Sequence, residues 1–358
     1  MTGPLEAGRV IGDRYEVIRY IDEGGMQFVY AAYDRLTERA VALKTPKNRS
    51  STKRFRRSAV VAARVNHANV AKTLDYVRDG EERYLIEELV DGRDLSKALL
   101  QRTSFLDPYL AARVFHHLAK GVAAAHHAGV IHRDLKPSNV MVSGGYCLDE
   151  VKVTDFGIAK LAQDEIEEAV AGGETSLSMS QTAVGALPYM APEAIDTPKD
   201  VTQAADIWSV GAMMFHLMTG SPPFGVGLRA VRNILAAEVP DAPAFLSRNP
   251  QFAPLSKEVL ALALACLQKD PAARPTADQL VQSCGNLYYN ASARRFGVIK
   301  RIDYGKWGFI ATQGDDVFFH VDSFYGPELP QLGDHVLFSS YEGGGAHRAY
   351  PVMKLTPE

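Results

Sequence analysis

Two short polar stretches constrain what this chain can fold into more than any other part of it. Residues 131–140 read I-H-R-D-L-K-P-S-N-V, and residues 155–157 read D-F-G. Asp134 can accept a proton from a hydroxyl group, whereas the oxygen atoms of Asn139 and Asp155 are of the kind that hold Mg2+. The two stretches therefore offer a proton acceptor and oxygens that can hold a metal ion.

This pair of motifs resembles the catalytic core of protein kinases, and Lys136-Pro137 is similar to the serine/threonine type. The resemblance implies an α+β fold with a strand-rich N-lobe and a helix-rich C-lobe, which transfers the γ-phosphoryl group of ATP to protein hydroxyls. It also implies that Asp134 orients the substrate hydroxyl, that Lys136 neutralises charge on the transferred group, and that Asn139 and Asp155 bind Mg2+. The alternative is a charged turn that has the same letters by chance.

The N-terminal part resembles the nucleotide-binding sheet of kinases but departs from its glycine-rich loop. From Tyr15, alternating apolar and polar residues followed by D-E-G-G-M-Q-F-V-Y predict a strand, a tight turn and a returning strand. Asp22 and Gln27 stand at the first and third glycine positions of the family's loop, and Gly24 holds the middle one, so a plain hairpin stays open. Val41-Ala42-Leu43-Lys44 resembles the strand whose lysine holds the ATP phosphates, with a solvated lysine as the alternative.

The glutamate that normally orients this lysine is missing. Ser58 stands in its place, and residues 39–74 contain no acidic residue at all. Aligning the hinge of the family puts Glu87 at the back wall of the ATP pocket, where an unpaired carboxylate would be costly. We expect Glu87 to pair with Lys44 in place of the missing glutamate, and the alternative is that Glu87 turns to solvent or is partly protonated.

The resemblance assigns a larger set of residues to ATP binding. That set is Ile21, Glu23, Gly24, Gly25, Val29, Ala42, Lys44, Glu87, Glu88 and Val90.

The segment between Asp155 and the A-P-E motif at residues 191–193 has no clear period and is rich in serine, glycine and acidic residues. A phosphate on this segment could pair with Arg133, although the hydroxyls could equally be ordinary loop residues. The candidate phosphosites are Thr175, Ser176, Ser178, Ser180 and Thr182.

Four further residues bear on how well the catalytic loop and its lobe are held. Ala186 replaces the threonine that bridges Asp134 and Lys136 in the family, and losing a hydrogen bond of roughly 1 to 3 kcal/mol predicts catalysis about ten- to a hundredfold slower. The resemblance also implies that Asp206 bonds the catalytic-loop backbone. A lobe-fixing ion pair is expected between Glu193 and Arg274.

The composition changes abruptly near Asn290. Residues 294–356 contain short alternating strands separated by Gly and Asp, which predicts a small five-stranded β-barrel. Two segments, G-V-I-K-R-I-D-Y-G-K-W-G-F-I-A-T at 297–312 and D-D-V-F-F-H-V-D-S-F at 315–324, resemble the paired nucleic-acid motifs of cold-shock domains, which have the OB-fold. Because little linker follows the last helical pattern, we expect the barrel to lean on the C-lobe.

The cold-shock resemblance implies that single-stranded RNA or DNA stacks on exposed rings beside basic residues. The matching positions are Lys300, Lys306, Trp307, Phe309, Phe318 and His320. Residues 294–358 contain seven Lys and Arg against eight Asp and Glu, a net charge of −1, so electrostatic attraction of phosphates is weak. A barrel used for docking or regulation stays the alternative.

Composition sets the remaining expectations. With 46% hydrophobic residues, 23% charged residues and a net charge of −3, the chain is typical of soluble globular proteins and predicts neither a nucleic-acid coat nor a membrane partner. Three widely spaced cysteines without C-x-x-C predict reduced thiols in the cytoplasm.

We therefore expect an N-terminal lead at 1–14, a kinase domain at 15–290 and a cold-shock-like domain at 294–356. The kinase domain divides into an N-lobe at 15–90 and a C-lobe at 91–290. A nucleotide-binding pseudokinase whose working part is the barrel is the other reading. The sequence predicts protein substrates with Ser or Thr, but neither their identity nor an oligomeric state.

Overall fold

The computed structural model of this chain describes residues 3–23, 27–47, 59–156 and 185–356. The N-lobe is a six-stranded antiparallel sheet in the order β1-β2-β3-β4-β6-β5. Its strands are β1 (Val10–Ile11), β2 (Tyr15–Glu23), β3 (Gln27–Asp34), β4 (Arg39–Pro46), β5 (Thr73–Asp79) and β6 (Glu82–Glu88).

Alternation along these strands separates the two faces of the sheet. Residues at every second position form one buried cluster: Tyr15 and Val17, Tyr30 and Ala32, Val41 and Leu43, and Tyr84 and Ile86. The residues between them face the other way, because successive side chains of a strand point to opposite sides. Lys44 and Glu87 share that second face, and the register pairs Ala42 with Glu87 and Lys44 with Leu85.

The C-lobe is built mainly from helices. They are α1 (Pro108–His127), α2 (Pro192–Asp196), α3 (Ala204–Thr219), α4 (Leu228–Ala236), α5 (Phe245–Arg248), α6 (Ala253–Cys266) and α7 (Ala277–Gly285). Short helical turns at Ser96–Leu100 and Gln101–Thr103 precede α1, and a three-stranded sheet joins β7 (Arg93–Asp94), β8 (Val140–Ser143) and β9 (Glu150–Val153). Helix α3 is buried on nearly all sides, with Trp208 fully enclosed, and it anchors the lobe.

Helix α1 delivers the chain into the catalytic loop. The Asp107 carboxylate caps it by accepting hydrogen bonds from Tyr109 N at 3.0 Å and Leu110 N at 3.2 Å, and Pro108 occupies the first helical position. Gly129, at φ +71°, turns the chain after the helix. Both ends agree with the pattern in the sequence.

The C-terminal part is a closed barrel in the order β10-β11-β12-β14-β13, as predicted. Its strands are β10 (Arg295–Asp303), β11 (Trp307–Ala311), β12 (Val317–His320), β13 (His335–Tyr341) and β14 (Arg348–Lys354). The interior contains Ile299, Ile310, Val317, Phe319, Phe338 and Val352. Helix α7 ends at Gly285, earlier than the pattern near Asn290 suggested, so a short extended connection leads into the barrel.

The barrel packs against the C-lobe, as the short connection predicted. Arg294 pairs with Asp107 at 2.7 Å, and this ion pair is buried. The Tyr350 ring stacks on Phe252 with centroids 5.1 Å apart, and Thr356 N donates to the Arg102 carbonyl at 2.7 Å. None of the helices in the described ranges is long and apolar enough to cross a membrane.

Candidate active site

Lys44 lies between two carboxylates. Its Nζ is 2.5 Å from Glu87 Oε2 and 2.8 Å from Asp155 Oδ1. The side chains of Lys44 and Glu87 are only 7% and 4% exposed, so both charges are removed from water. The pairing of Glu87 with Lys44 expected from the sequence is therefore present, and Glu87 does not turn to solvent.

Burial and attraction compete in this cluster. Burial opposes the charge of Lys44, but the attraction of Asp155 and Glu87 outweighs it and raises the pKa of Lys44. Burial raises the pKa of Glu87 in spite of Lys44. Burial would also raise the pKa of Asp155, yet the charge and hydrogen bond of Lys44 leave that pKa lowered. Glu87 is thus the carboxyl group of the cluster that takes up a proton most readily.

Gln27 contributes a contact that the sequence did not indicate. It stands at the family's third glycine position, and its Nε2 donates to Asp155 Oδ1 at 2.6 Å. Its Oε1 is buried and has no hydrogen-bond partner among the described residues. The sequence shows that a hydrogen-bonding side chain replaces a glycine here. It does not show the partner of that side chain, because Asp155 lies in the other lobe.

Two residues of the catalytic loop contact Asp134, although Ala186 replaces the threonine that would do so in the family. Lys136 Nζ lies 2.9 Å from Asp134 Oδ2, and Asn139 Nδ2 donates to the Asp134 backbone carbonyl at 2.7 Å and to its Oδ2 at 3.0 Å. Both hydrogens of the Asn139 side-chain amide are used in this way, so the side-chain oxygen Oδ1 points away from Asp134. Ala186, at the position of that threonine, is buried, and the predicted slowing of catalysis stays a prediction.

Asp206 fixes the backbone of this loop, as expected. Its buried carboxylate accepts hydrogen bonds from His132 N and Arg133 N, each at 2.8 Å. Arg133 has φ +67°, a conformation that ordinary residues hold only when their surroundings impose it. Arg274 and Glu193 form the expected ion pair, with nitrogen to oxygen distances of 2.6 and 2.8 Å.

Direct contacts join the two motifs that opened the sequence. Thr154 N donates to the Asn139 carbonyl at 2.9 Å, which places Asp155 beside the catalytic loop. His132 Nε2 lies 2.8 Å from the Thr154 carbonyl, and its ring packs 4.6 Å from that of Phe156. Asp155 itself has φ +63°. The chain therefore gathers its proton acceptor and its oxygen donors at one place.

This donor set fits Mg2+. Asn139 and Asp155 offer amide and carboxylate oxygens, and the buried unpaired Oε1 of Gln27 adds a third oxygen beside Asp155. Magnesium favours such oxygen ligands and usually keeps several waters, so few protein groups are needed. Asn139 and Asp155 would hold the ion.

The other predicted ATP-site residues are distributed around this cluster. Ala42 and Val90 are buried, Val29 pairs with Lys44 across the sheet, and Ile21 and Glu23 are exposed at the end of β2. Glu88 bonds Lys152, and its Oε2 accepts from Lys72 N at 3.2 Å. Gly24, Gly25, Ser58 and the five candidate phosphosites lie outside the described residues.

The barrel carries a second candidate site on its outer surface. Cross-strand pairing places Trp307 opposite His320 and Phe309 opposite Phe318, whereas the residues between them point into the core. The rings of Trp307, Phe309 and Phe318 lie 5.8 to 6.2 Å from one another. We call these three residues the aromatic platform.

Basic residues border the aromatic platform unequally. Arg301, which stands where cold-shock domains have a tryptophan, lies over Phe309 at 5.0 Å and Trp307 at 5.8 Å. Lys300 pairs with Asp316 at 2.8 Å, and Lys306 is exposed. Among the described residues, Arg301 is therefore the cation closest to the rings, although it is not one of the positions that the sequence matched to nucleic-acid binding.

Comparison with known proteins places this geometry in a family. The protein kinase domain model matches residues 15–284. A probable serine/threonine-protein kinase PknB of Corynebacterium glutamicum is 34% identical over 297 residues, covering 79% of this chain and 43% of the relative. A probable PknB of Lactococcus lactis is 33% identical over 267 residues, covering 73% of this chain and 40% of the relative.

A more distant likeness is seen among solved structures. The crystal structure of Rad53 1–466 in complex with AMP-PNP superimposes with a TM-score of 0.58 and 23% identity, covering 75% of this chain and 64% of that one. The chain spans less than half the length of the two curated relatives. Because the kinase family model covers most of the chain, the chain belongs to the protein kinase family.

Proposed function

We propose that this chain is a serine/threonine protein kinase that uses Mg-ATP. The observation that carries the proposal is the burial of Lys44 between Glu87 and Asp155, beside an intact Asp134 and Asn139. The phosphate-binding lysine thus has an acidic partner although the helix glutamate is missing. This favours catalysis over the pseudokinase alternative.

Each residue has a task in the transfer. Asp134 accepts the hydrogen bond of the substrate hydroxyl and orients it, and Lys136, 2.9 Å away, neutralises charge that develops on the phosphoryl group. Lys44 holds the ATP phosphates. Bound Mg2+ supplies charge neutralisation at the phosphates. With Asp155 holding that ion, Glu87 would remain the partner that keeps Lys44 in place.

Labelled ATP provides the test. The chain is incubated with γ-labelled ATP, Mg2+ and a mixture of unfolded acceptor proteins, and phosphoamino acids are identified in both the acceptors and the chain. We expect label on serine and threonine, and chelation of Mg2+ should remove it. Label no higher than in a reaction without the chain, across all acceptors, would overturn the proposal.

Removing Glu87 should weaken transfer without destroying the fold. Glu87→Gln keeps the shape but loses the charge that attracts Lys44, and a charge-assisted hydrogen bond of roughly 1.5 to 3 kcal/mol predicts kcat/KM for ATP about ten- to a hundredfold lower. Steady-state kinetics measure this loss. Glu328→Gln removes a glutamate that also pairs with a lysine, Lys354 at 2.8 Å, but in the barrel and not in the N-lobe, and it serves as control. Equal kinetics in the two variants would contradict the role of Glu87.

We further propose that the barrel, residues 294–356, is a cold-shock-like domain that binds single-stranded nucleic acid. The aromatic platform supports this, since three clustered outward rings suit base stacking.

The kinase domain would occupy residues 15–290, and the five hydroxyls from Thr175 to Thr182 remain candidate phosphosites. The three free cysteines favour the cytoplasm.

Trp307→Ala should weaken binding of a short single-stranded oligonucleotide about five- to a hundredfold, because stacking is worth roughly 1 to 3 kcal/mol per base. Fluorescence anisotropy at two salt concentrations measures the affinity. Tyr33→Ala removes an exposed tyrosine of the N-lobe, away from the barrel, and is the control. If both variants bind like the unmodified chain, or if nothing binds at physiological salt, the barrel has a docking role instead.

A further inference from the structure

A cavity of about 570 Å³ lies where the barrel meets the C-lobe. Its wall includes Tyr109 from the start of α1, Tyr289 and Asn290 from the connection after α7, and Tyr341 and Tyr350 from β13 and β14. None of the residues assigned to ATP or Mg2+ lines it. The cavity therefore belongs neither to the candidate active site nor to the aromatic platform.

Arg294 is a positively charged residue of the cavity wall that has one unpaired hydrogen-bond donor. Its side chain is 3% exposed, and it donates from Nη2 to Asp107 Oδ2 at 2.7 Å. Its Nη1 is buried and has no hydrogen-bond partner among the described residues. Leaving a buried charged donor unpaired is unfavourable. Arg294 also lines the cavity, so a small turn of its guanidinium group would present this nitrogen to an anionic oxygen there.

The charge around Arg294 also favours an anion. Asp107 offsets one positive charge, but Arg113 lies close enough that its pKa is lowered by burial and by the charge of Arg294. Asp149 acts on Arg113 in the opposite direction, so each of the two guanidinium groups has a carboxylate close to it. The guanidinium group of Arg113 nevertheless adds to the positive potential at Arg294.

The tyrosines offer ring faces rather than free hydroxyls. The hydroxyls of Tyr109 and Tyr350 bond each other at 2.9 Å, Asn290 Nδ2 donates to Tyr341 OH at 2.9 Å, and Tyr289 OH bonds His116 at 2.6 Å. With these polar ends already engaged, what the walls add is flat apolar surface. Aromatic walls pack well against a flat ring.

We propose that this cavity binds a small molecule that has a flat ring and one anionic group, a carboxylate or a phosphate, held by Arg294. The volume is within the range of small-molecule sites. Since the walls come from both the C-lobe and the barrel, such a ligand bridges them and stabilises the docked barrel.

Calorimetry on the full chain tests the proposal with phenyl phosphate and benzoate as probes. Mg-AMP-PNP is present at saturation so that the probes do not report on the ATP pocket. We expect one probe molecule per chain, with the better of the two acids identifying phosphate or carboxylate as the preferred group. Inorganic phosphate and cyclohexanecarboxylate, which lack the flat ring, should bind at least about tenfold more weakly.

Two variants locate the binding. Arg294→Lys keeps a charge for Asp107 but loses the second nitrogen, and it should weaken binding about tenfold or more. Tyr288→Ala alters a cavity residue that is 92% exposed, so the fold is kept, and it should weaken binding several-fold. Tyr304→Ala, an equally exposed tyrosine on the barrel outside the cavity, should bind like the unmodified chain.

The outcomes separate cleanly. No saturable binding of either probe, or binding that all three variants leave unchanged, overturns the proposal. If Arg294→Lys does not fold, Tyr288→Ala compared with Tyr304→Ala decides alone. Loss of kinase activity in a separate assay would not affect these readings, because the cavity shares no residue with the ATP site.

Discussion

Replacing Asp134 with asparagine is expected to lower phosphoryl transfer about a thousandfold, within the range for a positioned general base. The carboxylate is the proton acceptor that we propose for this site, and the amide that replaces it has the same shape but cannot take up a proton from a hydroxyl. Lys136, 2.9 Å away, loses its ionic partner at the same time. Asn139 still finds the Asp134 backbone carbonyl, so the loop should keep its conformation.

Binding of ATP should change little in the same variant. Lys44 is held by Glu87 and Asp155, and neither contact involves Asp134. Initial-rate kinetics and calorimetry with AMP-PNP measure the two quantities separately. Asp278→Asn, which breaks a surface pair with His127, controls for the loss of a carboxylate. Transfer by Asp134→Asn within tenfold of the unmodified chain would mean that another group accepts the proton.

Much of the site could be predicted because most of its residues belong to short motifs or strand patterns that can be recognised in the sequence. The two motifs name the proton acceptor and the oxygen donors, and alternation in β4 and β6 puts Lys44 and Glu87 on one face of the sheet. The lack of any acidic residue at 39–74 left Glu87 as the available partner. Local pattern and charge balance were sufficient for this contact.

Other contacts could not be predicted because they depend on how separate parts of the chain meet. Gln27 reaches Asp155 only when the two lobes close on each other, and neither residue's neighbours indicate it. The same holds for Arg294, which was assigned merely as the start of the barrel. Its partner Asp107 caps helix α1, a role that uses one carboxylate oxygen and leaves the other for the ion pair.

Arg294→Ala should cost about 3 to 5 kcal/mol of stability at the barrel interface, because it leaves the Asp107 carboxylate buried without its counter-ion. Asp107 is fully buried and the Arg294 side chain is 3% exposed, so water cannot replace the lost partner. Chemical unfolding should report the loss, and limited proteolysis should begin to cut within residues 286–294. Lys300→Ala, which breaks the exposed pair with Asp316, should cost about 1 kcal/mol or less.

A double variant separates the ion pair from simple loss of packing. Asp107→Asn retains an oxygen that can cap α1 while removing the charge, and combined with Arg294→Ala it leaves no unpaired ion at the interface. The double variant should therefore be more stable than Arg294→Ala by about 1 kcal/mol or more, since a buried charge without its partner is worse than no charge. Stability equal to or below that of Arg294→Ala would mean that the packing of the Arg294 side chain, not its charge, holds the barrel on the C-lobe.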